Sequence, residues 1–211
     1  MDLTTGIIIV NFKTQELTID CINSLQSAGA LKSTQVLIID NQSRDDSVSE
    51  IKAHIELIAL QGTLSLYEKS INRGFSAGNN LGVENVSSEY LLLLNSDTLV
   101  RPCSVELLVK TLRDNSKLGV AGPRLECGDG VPLESCFRSH RPVTELIRIA
   151  ASGPVTKLLK RYEVPLSVSD ELSYPEWTSL VWLLIRRQIF EDIGLLDEEL
   201  FMYFEDVDFC Q

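Results

Sequence analysis

The chain has 211 residues and a formal charge of −11, with 44% apolar and 23% charged side chains. These values suit a globular domain and exclude a fibrous or disordered one. The acidity argues against a nucleic-acid backbone as partner. It leaves a nucleotide open, because a divalent cation bridges acidic side chains to phosphates. The length fits one large α/β domain.

The five cysteines, Cys21, Cys103, Cys127, Cys136 and Cys210, show no CxxC spacing, which suits free thiols in a reducing compartment. No basic n-region and apolar h-region open the chain, so no secretory signal is expected. No apolar run reaches the length that crosses a bilayer.

Gly6 to Phe12 is continuous and rich in β-branched residues, and predicts a buried first strand. Thr14 is a candidate N-cap, and Leu17, Cys21, Leu25 and Ala28 recur at helical spacing up to Gly29. Gln35 to Ile39 is a second apolar run, closed by Asp40 and Asn41. Strand, helix, strand makes a βαβ unit. The loop from Asp40 to Ser47 is dense in Asx and Ser, residues that form turns and cap the following helix, here Val48 to Ile58. Asp40 also stands at a strand end, where its carboxylate could accept from a pyrimidine N–H.

Thr63 to Tyr67 alternates and predicts a third strand. Asn72-Arg73-Gly74-Phe75-Ser76-Ala77-Gly78-Asn79-Asn80-Leu81-Gly82 follows. Its glycines allow close backbone approach, and the helix N-terminus it opens favours an anion. The same residues also fit an ordinary loop with glycine-tolerated turns. Neither G-x-G-x-x-G nor a P-loop occurs.

Glu89 to Thr98 reads Glu-Tyr-Leu-Leu-Leu-Leu-Asn-Ser-Asp-Thr. The leucines predict a strand buried on both faces of a parallel sheet. Ligands of open α/β sheets sit beyond the carboxyl ends of the strands, so Asp97 is a candidate oxygen ligand for a hard cation that holds phosphate, although on this stretch alone Asn95-Ser96-Asp97 reads more simply as an ordinary polar strand exit. Helix residues Val105, Leu108 and Leu112 follow, then a short strand within Gly119 to Pro123.

Residues 124 to 176 are broken by glycine and proline, and the local charge reverses through Arg138, Arg141, Arg148, Lys157, Lys160 and Arg161. A solvated loop and a surface for an anionic acceptor or a membrane face are both open. Trp177 to Ile185 predicts another strand, with Arg186 and Arg187 after it, and Gln188 to Ile193 a short helix. From Asp197 to Asp208, six carboxylates interleave with apolar anchors. They read either as an acidic surface helix or as Phe201, Met202 and Tyr203 anchoring a segment whose Glu205, Asp206 and Asp208 enter a crevice. There, like charges and burial would tune a general base.

The order of Val10-Asn11-Phe12, Asp40-Asn41-x-Ser43, Asn72-x-Gly74-Phe75, Asn79-Asn80-x-Gly82, Asn95-Ser96-Asp97, Gly194-x-x-Asp197-Glu198 and Glu205-Asp206-Val207-Asp208 resembles the family 2 glycosyltransferases. The rhamnosyltransferase-like bacterial members look nearest. The resemblance implies the GT-A fold, Rossmann-like, with a mixed, mainly parallel central sheet flanked by helices. It implies one domain over residues 1–211, with a nucleotide-binding part at 1–123 and an acceptor side at 124–211. The donor would be a UDP- or dTDP-sugar, and the acceptor a saccharide or lipid-linked hydroxyl in cell-surface polysaccharide synthesis.

The resemblance assigns Asp40 to the base, with Asn41 and Ser43 supporting its loop. It assigns Asn72, Gly74 and Asn80 to the nucleotide pocket. Asn95 opens the DxD-type motif and Asp97 faces a magnesium or manganese ion. Asp206 would be the general base and Glu205 its neighbour, in a single inverting displacement. A cytoplasmic protein with peripheral contact at the inner membrane face is implied.

Two departures stand out. Leu180 and Val181, followed by Trp182, occupy positions where the family carries Gly-Ala, and Gln211 falls where relatives continue with an arginine and a helical segment, so a truncated chain is expected. They motivate a second reading, a catalytically impaired sugar-nucleotide-binding or scaffold protein. A nucleotidylyltransferase would want a glycine-rich basic signature near the first strand, which is absent.

Overall fold

The computed structural model describes residues 5–58, 63–139, 141, 164–169 and 171–211. Most of the basic stretch, including Arg148, Lys157, Lys160 and Arg161, lies outside the described residues. The chain forms two compact units, Met1–Pro123 with Leu180–Glu205, and Arg124–Ser179 with Asp206–Gln211.

The first unit runs β1 (Thr5–Asn11), α1 (Gln15–Ser27), β2 (Thr34–Asp40), α2 (Ser47–Ile58), β3 (Thr63–Glu68), α3 (Gly74–Asn85), β4 (Tyr90–Asn95), α4 (Ser104–Asp114) and β5 (Val120–Ala121). The second contributes β6 (Leu125–Glu126), β7 (Pro132–Leu133), β8 (Cys136–Phe137) and β9 (Trp177–Thr178). The chain returns to the first unit with β10 (Trp182–Arg186) and α5 (Arg187–Ile193), and α6 spans Glu205–Phe209.

The sheet of the first unit has the order β3-β2-β1-β4-β10-β5. β3, β2, β1 and β4 are parallel, while β10 runs antiparallel to β4 and β5. The order reverses between β1 and β4, which opens a crevice beyond their carboxyl ends. Ile7, Ile8, Ile9, Leu91, Leu92 and Leu93 are fully buried, as strands covered on both faces require.

Helix α3 packs on β1 through its glycines. A Cβ at Gly82 would lie 2.4 Å from Ile8 Cγ2, and one at Gly78 2.9 Å from Val10 Cγ1. These glycines serve helix–sheet packing. Asn11, on the opposite face of β1 from Val10, accepts from Thr18 of α1 at 2.8 Å, so helices cover both faces.

Two arginines fasten helix ends. Arg186 donates to the carbonyls of Leu112 and Asn115 at the end of α4, and Arg187 to those of Val83 and Val86 at the end of α3. Guanidinium charge at carbonyl-rich helix ends is favourable.

Some expected features shift. The predicted strand over Trp177 to Ile185 is two strands: Thr178 pairs with Cys136 in the second unit, and Trp182 with Leu94 in the first. The buried stripe of α1 is Thr18, Cys21, Ile22 and Leu25. Leu17 is exposed, because polar Thr18 is drawn inward by Asn11.

In the second unit, β6 pairs with β7 and β8 with β9. The Phe137 and Trp177 rings stack with centroids 4.1 Å apart, and Trp177 Nε1 donates to the Arg138 carbonyl at 2.9 Å.

Candidate active site

The carboxyl ends of β2, β1 and β4 bring Asp40, Asn11 and Asn95 side by side, with Asn11 in register with Asp40 and Val10 with Asn95. Asp40 Oδ1 accepts from Asn11 Nδ2 at 2.7 Å and Ser43 Oγ at 2.5 Å, and Oδ2 from Ser43 N at 2.9 Å. Ser43 Oγ also accepts from Lys13 N at 2.9 Å. Asn11 thus joins Asp40 to α1, a role the sequence reading gave it no part in.

Asn41 is buried and donates through Nδ2 to Asn72 Oδ1 at 2.8 Å and to the Gly74 carbonyl at 3.0 Å. Its Oδ1 is buried with no hydrogen-bond partner among the described residues. Asp40, Asn41, Ser43, Asn72 and Gly74 therefore form one connected group.

A depression of about 310 Å³ opens beside this group, lined by Phe12, Lys13, Gln42, Ser43, Arg44, Asp45 and Asn72. Lys13, Gln42 and Arg44 hold φ of 57°, 64° and 58°. Non-glycine residues in this region are strained by roughly 1–3 kcal/mol each and gather at functional sites. Lys13 Nζ sits 5.5 Å from the centroid of the Phe12 ring and covers one side of it. Phe12, Lys13, Gln42 and Arg44 went unassigned in the sequence reading. Nothing in the residue types announces a left-handed backbone at lysine, glutamine or arginine.

The helix α3 N-terminus is not an open anion site. Asn72 Oδ1 accepts from Gly74 N at 2.9 Å, and the Phe201 carbonyl accepts from Phe75 N at 3.0 Å. Gly74 has φ of 89°, and a Cβ there would fall 2.2 Å from the Phe201 carbonyl oxygen. Asn80 lies away from the pocket lining. Its Nδ2 donates to the Leu196 carbonyl at 2.8 Å and Glu198 Oε1 at 3.1 Å, and its Oδ1 accepts from Leu196 N at 3.0 Å.

The apolar anchors expected before Glu205 are reversed. Phe201, Met202, Tyr203 and Phe204 are all exposed, and Tyr203 and Phe204 hold positive φ. Main-chain carbonyls anchor this segment instead, together with the buried Leu196 side chain.

Asp97 is exposed beyond β4. Asn95 N donates to the Val181 carbonyl at 2.9 Å, so Val181 lies beside it in the ladder. Asn95 Oδ1 is buried and has no hydrogen-bond partner among the described residues, and the same holds for Trp182 Nε1. Burial, helped by the Asp97 charge, pushes the Cys21 thiol up to about 12. Among the described residues no three His, Cys, Asp or Glu side chains gather as a metal cage. An exposed carboxylate two residues beyond an unsatisfied amide oxygen suits a hard divalent cation, which would draw further oxygens from phosphate and water.

Glu205 belongs to the first unit and is buried. Asp206 belongs to the second, where burial raises its carboxyl above the ordinary 3.8, against the pull of the Val207 N–H that donates to it.

A strand-order reversal between β1 and β4, with polar residues at the strand ends and a pocket beside them, defines an open α/β fold with its ligand crevice at the topological switch point. The family model for glycosyl transferase family 2 matches residues 6–149, so the chain belongs to the family 2 glycosyltransferases. The chain is 24% identical over 209 residues to the low-salt glycan biosynthesis hexosyltransferase Agl10 of Haloferax volcanii, covering 97% of this chain and 60% of that protein. It is 27% identical over 186 residues to the N-acetylglucosaminyl-diphospho-decaprenol L-rhamnosyltransferase of Mycobacterium tuberculosis, covering 82% of this chain and 58% of that one. The chain thus spans about three-fifths of these relatives.

The GT-A fold is shown by its structural neighbours. The mannosyltransferase PcManGT of Pyrobaculum calidifontis, solved with GDP-Man and Mn2+, has a TM-score of 0.63 at 15% identity over 93% of this chain and 48% of that one. GalNAc-T7 with UDP, GalNAc and Mn2+ reaches 0.68 at 14% identity over 98% of this chain and 40% of that one. No helix among the described residues is long and apolar enough to cross a membrane.

Proposed function

We propose that the protein transfers a sugar from a UDP- or dTDP-sugar to a hydroxyl of a saccharide or lipid-linked acceptor in cell-surface polysaccharide synthesis, with inversion. The observation that carries this is the convergence of the Asp40 network, the strained pocket and Asn95 at one sheet end in a family 2 chain. In this reading the pyrimidine enters beside Phe12. Three of roughly four lone-pair sites on Asp40 are occupied, which leaves one for a base N–H. Asn41, Ser43, Asn72 and Gly74 hold the loops around it, and Lys13 and Arg44 offset the donor's negative charge.

Asp97 and Asn95 would hold a magnesium or manganese ion. Bound there, the cation would offset charge on the departing diphosphate. The acceptor oxygen attacks the anomeric carbon, the bond to phosphate breaks, and Asp206 takes the hydroxyl proton. Burial supports that last role, since a raised carboxyl is a better proton acceptor.

The test is calorimetric titration with UDP, dTDP and GDP, each with and without manganese. Metal-dependent binding of UDP or dTDP, lost in Asp97→Ala, is the expected result. Equal binding of GDP would remove the pyrimidine assignment. Binding that ignores both metal and the Asp97 change would remove the metal site.

A further inference from the structure

We infer that Asn80 is a positioning residue: it clamps the segment Leu196–Phe204 onto α3 and so sets the approach of the chain into Glu205. This inference rests on the transferase reading for its consequence in turnover and on geometry for everything else.

Asn80 is 3% exposed, and its amide is fully engaged by one short piece of chain. Through Leu196 it makes both hydrogen bonds of a strand-like pair, to N and to O, and a third to Glu198. Glu198 is held again by Arg73, just before α3, at 3.0 Å. Downstream, the Phe201 carbonyl caps Phe75 N at 3.0 Å, over a glycine where no side chain fits. The side chains from Phe201 to Phe204 are exposed and add little burial. The segment is therefore kept by polar contacts with α3, with Leu196 as its buried apolar anchor. The same helix start is bound to Asn41 through Gly74 and Asn72, so pocket loop and segment share one fastening point.

The charged groups facing this clamp are Glu198, Arg73 and Lys69, the last with its ammonium lowered by burial and raised in part by Glu198. Asn80→Asp would set a carboxylate against the Leu196 carbonyl and Glu198. Protonation would return a donor, so its defect should recede as pH falls.

The experiment is amide hydrogen exchange on the whole chain, beside UDP calorimetry with manganese and release of UDP or dTDP from UDP-glucose and dTDP-rhamnose. In Asn80→Ala, protection at Leu196 and Phe75 should fall about tenfold, the loss of a net hydrogen bond, while protection of the buried strands holds. UDP affinity should stay within about twofold. Release from whichever donor is used should fall in kcat by about 100-fold at unchanged donor KM, the cost of a misplaced reacting group. In Asn80→Asp, protection relative to the parent should recover at low pH.

Unchanged protection at Leu196 in Asn80→Ala would overturn the clamp. So would a loss of UDP affinity with the segment still protected, which would return Asn80 to the nucleotide pocket. If the parent chain releases nucleotide from neither donor, the transferase reading fails, and the exchange data alone decide the clamp.

Discussion

Asp40 is 1% exposed and accepts from Asn11 and Ser43, so it is structural as well as a candidate ligand for a base. Replacing it with alanine removes the acceptor of the Ser43 N–H and leaves the Asn11 Nδ2 with Ser43 Oγ alone. Asp40→Ala should lose about 2–4 kcal/mol in urea denaturation, together with UDP binding. Asp206 has the opposite character. Its folded carboxyl is raised above the ordinary 3.8, so between 3.8 and that raised value the folded state holds the proton the unfolded state has lost. Stability therefore falls as pH rises through this window. Asp206→Asn should remove that slope, giving a stability difference that grows in the variant's favour across this window and is constant above it. Transfer by the parent should rise over the same window, as the proposed base deprotonates.

At the level of elements, α3 is built to lie close to the sheet. Gly82→Ala would drive a methyl to 2.4 Å from Ile8, a fully buried residue. Overpacking of this kind costs about 1–3 kcal/mol, only partly offset by the better helix propensity of alanine. Chemical denaturation checks it, and an unchanged midpoint would mean α3 has room to move. Arg186 and Arg187 need their forks more than their charge. Arg187→Lys keeps the cation yet cannot reach the Ser88, Val83 and Val86 carbonyls together, and should lose about 1.5–3 kcal/mol.

For the whole molecule, the residues of the proposed donor site fall within the first unit, which gathers Met1–Pro123 and Leu180–Glu205. Ligand binding should stabilise that unit. UDP with manganese at 100 times its dissociation constant should add about 2.7 kcal/mol. Scanning calorimetry would read this as a raised transition in the parent chain and no shift in Asp97→Ala. A raised transition in Asp97→Ala would mean the nucleotide is held without that carboxylate.

The sequence by itself determined the parallel strands, because Ile7 to Ile9 and Leu91 to Leu94 are apolar on both faces and suit only a covered sheet. It also determined the polar strand ends Asp40 and Asn95, since a strand must end where its apolar run ends. The order of motifs that resembles the family was legible beside them. What only the tertiary structure decided is where each polar group spends its hydrogen bonds. Asn80 looked like pocket lining and is taken up by Leu196, a residue 116 positions away in sequence. Phe201, Met202 and Tyr203 looked like anchors and face solvent, because main-chain carbonyls do the anchoring. The left-handed turns at Lys13, Gln42 and Arg44 have no signature in residue type. Burial patterns are local and periodic, so a sequence carries them openly. Hydrogen-bond partners are set by contacts between distant segments, and those exist only once the chain has folded.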